Sequence, residues 1–268
     1  MIRGSRPADP VLALEAVMAQ GWRALEVEHL GGWLLRAAAG FTGRGNSALP
    51  LGDPGVPLPA AVDAVEAFYA ARGLVPQVAV PRGLAAPICA DGLDGGALDA
   101  LLAARGWSVH TETAVMTAPV SALAAGPLLP GAEVVVSADP DEDWQAVYRY
   151  RGQVLPPEGL AVLTASPVRA FAAVREGGRT LAVARGTTTP FPTGAWLGIT
   201  SVEVLPEARR RGLARALLAA LADWGRASGA SSAYLQVTWD NAAARALYAS
   251  TGFTDHHGYA YRRAAPPA

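Results

Sequence analysis

The sequence contains no lysine: all 22 of its basic residues are arginine, set against 23 acidic ones. The formal net charge of −1 lacks the basic surplus of a chain that lives on nucleic acid. The single cysteine, Cys89, excludes a disulfide framework and reads as a cytosolic thiol. Nothing near it resembles an activating histidine or a helix terminus, so it is not taken as a nucleophile. No run approaches ~18 apolar residues without glycine, proline or charge, so no membrane span is expected. The opening stretch MIRGSRPADPVLALEAVMAQGW has neither the apolar run nor the cleavage site of a signal peptide. These absences lead to the expectation of a cytoplasmic protein with no nucleic-acid and no membrane partner.

The 268 residues are 51% hydrophobic and 17% charged, a globular composition with room for one large domain or two smaller ones. The segment APVSALAAGPLLPGAE (118–133) is rich in Ala, Pro and Gly and uncharged before Glu133. It reads as a linker, giving a first domain at 1–118, a linker at 119–131 and a second domain at 132–268. The second half then alternates. A short strand at 133–137 precedes an acidic-capped helix at 139–151. PVRAFAAVREGGRTLAVARG is a hairpin turning at Gly177–Gly178, and AWLGITSVEVLP (195–206) is a long central strand. RGLARALLAALADWGRASG repeats Leu213, Leu217, Leu221 and Trp224 at helical spacing. After the strand SSAYLQVTW, a helix starts at an Asp240 N-cap and ends at Gly252; YAYRR closes with strand character. The first half echoes this order. LDALLAARGW (98–107) aligns with ARALYASTGF (244–253), and the helix-then-strand at 62–80 ends in Gln77–Val78 as the later one ends in Gln236–Val237. Two echoes in one order indicate a tandem duplication.

The stretch VEVLPEARRRGLARALLAAL (202–221) joins a strand end, a proline turn, three arginines and a glycine at the mouth of a helix. Free N–H groups and the positive dipole end make such a mouth an anion site. Gly212 and Ala214 leave the backbone open to close approach. Three cations there oppose the dipole. Two readings stand: a multiply charged anion offsets them, or they form a solvated patch that tolerates the penalty. A P-loop needs G-x-x-x-x-G-K-[ST], and the chain has neither the lysine nor the spacing. A dinucleotide fingerprint needs three glycines, and only Gly212 is in place.

Arg209-x-x-Gly212-x-Ala214 resembles the R/Q-x-x-G-x-G/A pyrophosphate loop of the GNAT acetyltransferases. Val202-x-Val204 resembles the strand segment that pairs with pantetheine there, and DNAAARALYASTGF (240–253) is similar to that family's next helix. The resemblance covers about 130–264, with the three motifs in order. With WLLRAAAGFTGRGNSALP (33–50) and HHGYAYRR (256–263), the whole chain is similar to an actinobacterial tandem-GNAT group whose first domain is degenerate. The fold class implied is α/β (α+β): two GNAT-like domains, each a mixed, mostly antiparallel sheet flanked by helices.

The resemblance implies an N-acetyltransferase. It would move an acetyl group from acetyl-CoA to a primary amine of a small molecule or protein by direct attack in a ternary complex. No metal is implied, and the state would be monomer or homodimer. Arg209, Arg210, Arg211, Gly212, Leu213 and Ala214 would hold the pyrophosphate. Val202 and Val204 would orient the pantetheine arm, and the Val204 N–H would polarise the thioester carbonyl. Asn241 and Tyr248 are seven apart and share a helix face. Asn241 would bond the arm, and Tyr248 would protonate the leaving thiolate, whose pKa of ~8.5 demands little help. A packed aromatic is the other reading of Tyr248. A non-catalytic CoA-binding or scaffold module is the rival function.

The general base is not carried over. In part of the family a carboxylate stands about six residues before the second valine position; here that position is Gly198. Glu203, an acid in an apolar strand, needs a partner or a site; it is a candidate base or substrate anchor, or a paired structural acid. His256, His257 and a water chain are further candidates. Trp144, Tyr148 and Tyr150 fall where the family places its acceptor-facing loop. In the first half, Leu102 stands in the place of Tyr248. The matching helix start, VPLPAAVDAVEAFY (56–69), has no arginine or glycine, and Asp63 and Glu66 would repel a pyrophosphate. One acetyl-CoA per chain is therefore expected. Arg36, Arg44 and Asn46 either build a domain interface, line one wall of the acceptor site, or are solvated loop residues.

Overall fold

The computed structural model describes residues 9–84, 95–123, 130–149 and 152–265. In chain order the elements are α1 (Pro10–Gly21), β1 (Glu26–Leu30), β2 (Trp33–Ala37), β3 (Ala48–Pro50), α2 (Leu58–Ala70), β4 (Gln77–Arg82), α3 (Gly95–Ala104) and β5 (Ser108–Pro119). There follow β6 (Ala132–Ser137), α4 (Glu142–Val147), α5 (Pro157–Thr164), β7 (Arg169–Glu176), β8 (Arg179–Phe191), β9 (Gly194–Val204), α6 (Leu213–Ala227), β10 (Ala230–Thr238), α7 (Ala242–Ala249) and β11 (Thr254–Arg263). Cys89 lies outside the described residues. The fold is mixed α/β, as the sequence pattern required.

The chain forms two compact units, 1–115 together with 255–268, and 116–254. The division expected from the sequence kept the last strand with the second half. In the structure β11 joins the first unit, pairing antiparallel with β4 from Gly258 opposite Arg82 to Arg263 opposite Gln77. Its anchor is Arg262, whose Nε and Nη2 donate to the two carboxylate oxygens of Asp99, each at 2.8 Å. A pairing across so much chain leaves no local signal.

In the first unit the strands run β1-β2-β3-β4-β11-β5. Its core joins Trp33 and Leu35 of β2 to Val62, Val65 and Tyr69 of α2 and to Leu98 and Leu102 of α3. The loop between β2 and β3 is stapled by Asn46. The Asn46 Oδ1 accepts from Ala38 and Gly40 N–H, and Nδ2 donates to the carbonyls of Phe41 and Thr42. Arg36 is buried and donates to the carbonyl and hydroxyl of Ser47. Arg44 lies over the Trp22 ring, 4.1 Å from its centroid. Arg36 and Asn46 are thus committed to building this loop.

In the second unit the order is β10-β9-β8-β7-β6. Only β9 and β10 are parallel; β8–β9, β7–β8 and β6–β7 are antiparallel. The β7–β8 hairpin turns through Gly177 and Gly178, both at positive φ, as the sequence indicated. The apolar stripe of α6, with Leu213, Leu217 and Leu221 buried, lies on the sheet through two glycines. A Cβ at Gly225 would meet Leu197 at 3.1 Å, and one at Gly186 would meet Leu221 at 2.9 Å. The expected helix at 139–151 is shorter, ending at Val147. The next helix, α5, was not foreseen; its Pro157 occupies the first turn, where a missing N–H costs nothing.

The sequence echo has a local structural counterpart. Gly106 (φ +78°) and Gly252 (φ +96°) end α3 and α7 alike. Trp107 N–H donates to the Leu102 carbonyl at 2.9 Å, and Phe253 N–H donates to the Tyr248 carbonyl at 3.1 Å.

Candidate functional site

β9 creates an opening in the sheet of the second unit. Up to Ile199 it pairs with β10, the last partner being Leu235. Yet β9 runs on to Val204 and β10 to Thr238, so the parallel pair opens into a fork. On its other edge, β9 carries one residue too many: Thr200 faces Arg185, but Glu203 faces Val183. Ser201 lies in this bulge with φ +55°, a conformation that non-glycine residues seldom adopt. The extra residue resets the alternation of side chains. Glu203 thereby shares the sheet face of Thr200 and Gly198, which an unbroken strand would have denied it.

The mouth of α6 faces the same opening. Gly212 caps it at φ +78°, with no side chain accepting from the first-turn N–H groups. A Cβ at Gly212 would meet nothing within 4 Å, so the space in front of the backbone is open. Uncapped N–H groups and the helix dipole leave here a mouth whose field favours negative charge. Arg210, also left-handed at φ +63°, stands beside it, and Arg209 Nε donates to the Val204 carbonyl at 3.4 Å. Arg211 does not join them. Its Nη2 pairs with Glu176 on β7 at 2.6 Å, and it is absent from the cleft lining. That ion pair answers part of the charge problem posed by three adjacent arginines.

α7 supplies the remaining wall. The sequence reading gave its N-cap to Asp240; the cap is Asn241, whose Oδ1 accepts from Ala244 N–H at 3.1 Å. Asp240 accepts instead from the Thr238 hydroxyl. With its Oδ1 so engaged, Asn241 also lines the cleft. One residue before the end of the helix stands Tyr248, 9% exposed and edge-on to Phe253 at 6.1 Å. Burial pushes its hydroxyl up to about 12, so it remains a hydrogen-bond donor at neutral pH.

These pieces enclose a cleft of about 720 Å³. It is lined by Val202, Glu203, Val204, Arg209, Arg210, Gly212, Leu213, Ala214, Asn241 and Tyr248 among others. Burial raises the Glu203 carboxyl above its ordinary value, against a smaller opposing pull from Arg209. Among the described residues, no group of three or more His, Cys, Asp or Glu is disposed to hold a metal ion. None of their helices is long and apolar enough to cross a membrane.

Other sequence candidates are placed elsewhere. Trp144 is buried under the sheet, its Nε1 shared between the carbonyls of Ala172 and Ala184, with Phe171 edge-on at 5.1 Å. Tyr148 packs on it at 5.3 Å; Tyr150 lies outside the described residues. His256 and His257 belong to the first unit. Their Nδ1 atoms are 2.8 Å apart, and His257 Nε2 is 3.1 Å from the Glu15 carboxylate. Burial and the neighbouring His257 lower the His256 pKa. In the same unit, Arg105 pairs with Asp63 at 2.6 Å and with Glu66 at 3.6 Å. Asp63 and Glu66 of α2 therefore share one arginine, which offsets part of their charge.

One residue escaped the sequence reading. Tyr234 on β10 pairs with Gly198, and its hydroxyl would lie 2.3 Å from a Cβ at Gly198. The space that a side chain at 198 would need is filled by this ring. Beside it, the buried Thr187 hydroxyl has no hydrogen-bond partner among the described residues.

A forked parallel pair, a bulged strand and an uncapped helix mouth define the class: this is a GNAT-type acetyltransferase. The chain belongs to the family described as Probable histone acetyltransferase Rv0428c C-terminal, whose model matches residues 10–262. A relative from Mycobacterium tuberculosis (strain ATCC 25618 / H37Rv), named Probable histone acetyltransferase Rv0428c, is 31% identical over 253 residues, spanning 94% of this chain and 73% of its own. Among solved structures, a GCN5-related N-acetyltransferase from Kribbella flavida superposes with a TM-score of 0.69 at 18% identity, covering 97% of this chain and 96% of its own. A tandem GNAT protein from the clavulanic acid biosynthesis pathway gives a TM-score of 0.59 at 16% identity, covering 78% and 69%. At such identities these two structures speak to the fold alone.

Proposed function

We propose that the chain transfers an acetyl group from acetyl-CoA to a primary amine, with the acceptor attacking the thioester directly in a ternary complex. The observation that carries this reading is the convergence on one cleft of the forked β9, the uncapped mouth of α6 and Tyr248. The N–H groups at Gly212, Leu213 and Ala214, with Arg209 and Arg210, suit a pyrophosphate. Val202 and Val204, freed from β10 by the fork, offer backbone groups to a pantetheine arm, and Asn241 offers its NH₂. Arg211, held by Glu176, contributes field rather than contact.

An alkylamine with pKa of about 10 must lose a proton before attack. Glu203 is the carboxylate in the cleft, and its raised pKa brings it nearer the range of a working base. The amine nitrogen bonds to the thioester carbon, the Val204 N–H stabilises the oxyanion, and the carbon–sulfur bond breaks. The sulfur leaves as a thiolate, with pKa of about 8.5. A phenol held near 12 gives that thiolate a hydrogen bond and cedes its proton only when solvent returns one. The M. tuberculosis relative's name makes a protein lysine the first acceptor to try.

Calorimetric titration with acetyl-CoA should give one site per chain, since the stretch 56–69 that opens α2 carries neither the glycine nor the arginines of the α6 mouth. Thiol release should then follow addition of lysine peptides or small amines. A stoichiometry near two would overturn the single site. Tight binding without thiol release for any amine would favour a non-catalytic CoA-binding module.

A further inference from the structure

Two walls of the cleft are joined by a side chain that has no partner role in the chemistry above. Arg215, on the first turn of α6, reaches the far end of α7. Its Nη1 donates to the Ser250 carbonyl at 3.2 Å, and its Nη2 donates to the Ser250 hydroxyl at 2.6 Å. That hydroxyl in turn donates to the Leu247 carbonyl at 2.6 Å. Ser250 is the residue that closes α7, and it follows Tyr248 by two positions. Arg215, Leu247 and Tyr248 line the cleft, whereas Ser250 does not.

The bridge matters because α7 is otherwise weakly held. It has 8 residues, and Tyr248 is the one buried residue among them. A helix so short is marginal by its own hydrogen bonds and depends on tertiary contacts. The guanidinium also stands at the negative end of the α7 dipole, where a cation is favoured. At its other end, Arg215 is rooted in the turn whose N–H groups form the anion site.

Resting on the acetyl-CoA reading above, we propose that the Arg215–Ser250 bridge is a positioning device: it ties α7, and Tyr248 with it, to the helix mouth that takes the phosphates. Filling the phosphate end then orders the end that carries Tyr248. Such coupling acts in both directions, so the order of α7 also strengthens phosphate binding.

Amide hydrogen exchange over residues 242–253 tests this, with adenosine 3′-phosphate 5′-diphosphate as probe. The probe carries linked phosphates and no pantetheine. In the wild-type protein, saturating probe should slow exchange at the end of α7 by about fivefold, the worth of one net hydrogen bond. Ser250→Ala alters a residue outside the cleft lining and keeps the carbonyl contact, so it should reduce the slowing to about half or less, while affinity for the probe falls by no more than about fivefold. Arg215→Lys keeps the charge but loses the two-pronged fork and should behave like Ser250→Ala. Undiminished slowing in Ser250→Ala and in Arg215→Lys, or no slowing in the wild type with the probe bound, overturns the device alone. Faster exchange on binding would mean that Arg215 leaves Ser250 for the phosphates, which also overturns it. If neither the probe nor acetyl-CoA binds the wild type, the phosphate site is wrong and the device falls with it.

Discussion

Replacing Gly198 with alanine should destabilise the second unit through one named collision. The new Cβ would lie 2.3 Å from the Tyr234 hydroxyl oxygen, 2.5 Å from its Cζ and 3.0 Å from the Thr187 hydroxyl. Carbon contacts relax only at about 3.5 Å or more, so the ring must move by about 1 Å. It has little room, being 2% exposed and tilted against Trp196. Overpacking of this kind costs about 1–3 kcal/mol, or roughly 2–12 °C in Tm at about 2–4 °C per kcal/mol. The assay is thermal unfolding of Gly198→Ala, Tyr234→Leu and the double variant. Removing the ring costs stability by itself, but it also removes the collision. The double variant should therefore be more stable than the sum of the two losses by at least about 1 kcal/mol, as coupled neighbours are. A Gly198→Ala protein within about 0.5 kcal/mol of wild type, or strictly additive losses, would refute the reasoning. The consequence reaches function: a carboxylate does not fit at 198 while Tyr234 stays, so the proton acceptor stands elsewhere.

What could be read from the sequence was local. The helix mouth at Gly212, the arginines before it and the glycine end of α7 each lie within one short stretch, where backbone propensity and motif spacing act together. The hairpin at Gly177–Gly178 and the matched ends at Gly106 and Gly252 were legible for the same reason. What failed to show depends on partners far along the chain. Arg211 looked like its neighbours, but Glu176 on β7 claims it. Asp63 and Glu66 looked like free acids, but both pair with Arg105. The Asp240–Asn241 choice turned on which side chain reaches Ala244 N–H, a matter of one residue in register. Glu203 could be seen as an oddity in a strand, yet its sheet face is set by the bulge at Ser201, and a non-glycine residue at φ +55° carries no sequence mark. Tyr234 had none either, because its meaning comes from the absence of a side chain on the strand beside it.

Three further outcomes test the site itself. Gly212→Asp should weaken acetyl-CoA binding far more than Arg211→Ala. The aspartate would bear a left-handed φ at a cost of about 1–2 kcal/mol and set a negative charge before the phosphates, whereas Arg211 is already paired; equal effects in calorimetry would mean that the helix mouth is not the main contact. If Glu203 is the base, kcat/KM should rise with pH through a limb lying above the ordinary carboxylate range, because burial raises its pKa; Glu203→Gln should remove that limb, and an unchanged profile would transfer the role to water. Tyr248→Phe should leave acetyl-CoA affinity nearly unchanged, since the ring and its contact with Phe253 stay. Turnover should fall by roughly 10²-fold, in kcat and kcat/KM together, because the hydroxyl acts on charge that develops only as the thiolate leaves. The loss should shrink with an acyl donor whose thiol is more acidic, which leaves with less help. If instead kcat is intact and only the KM for acetyl-CoA rises, Tyr248 is a binding contact, and the departing thiolate is met by solvent.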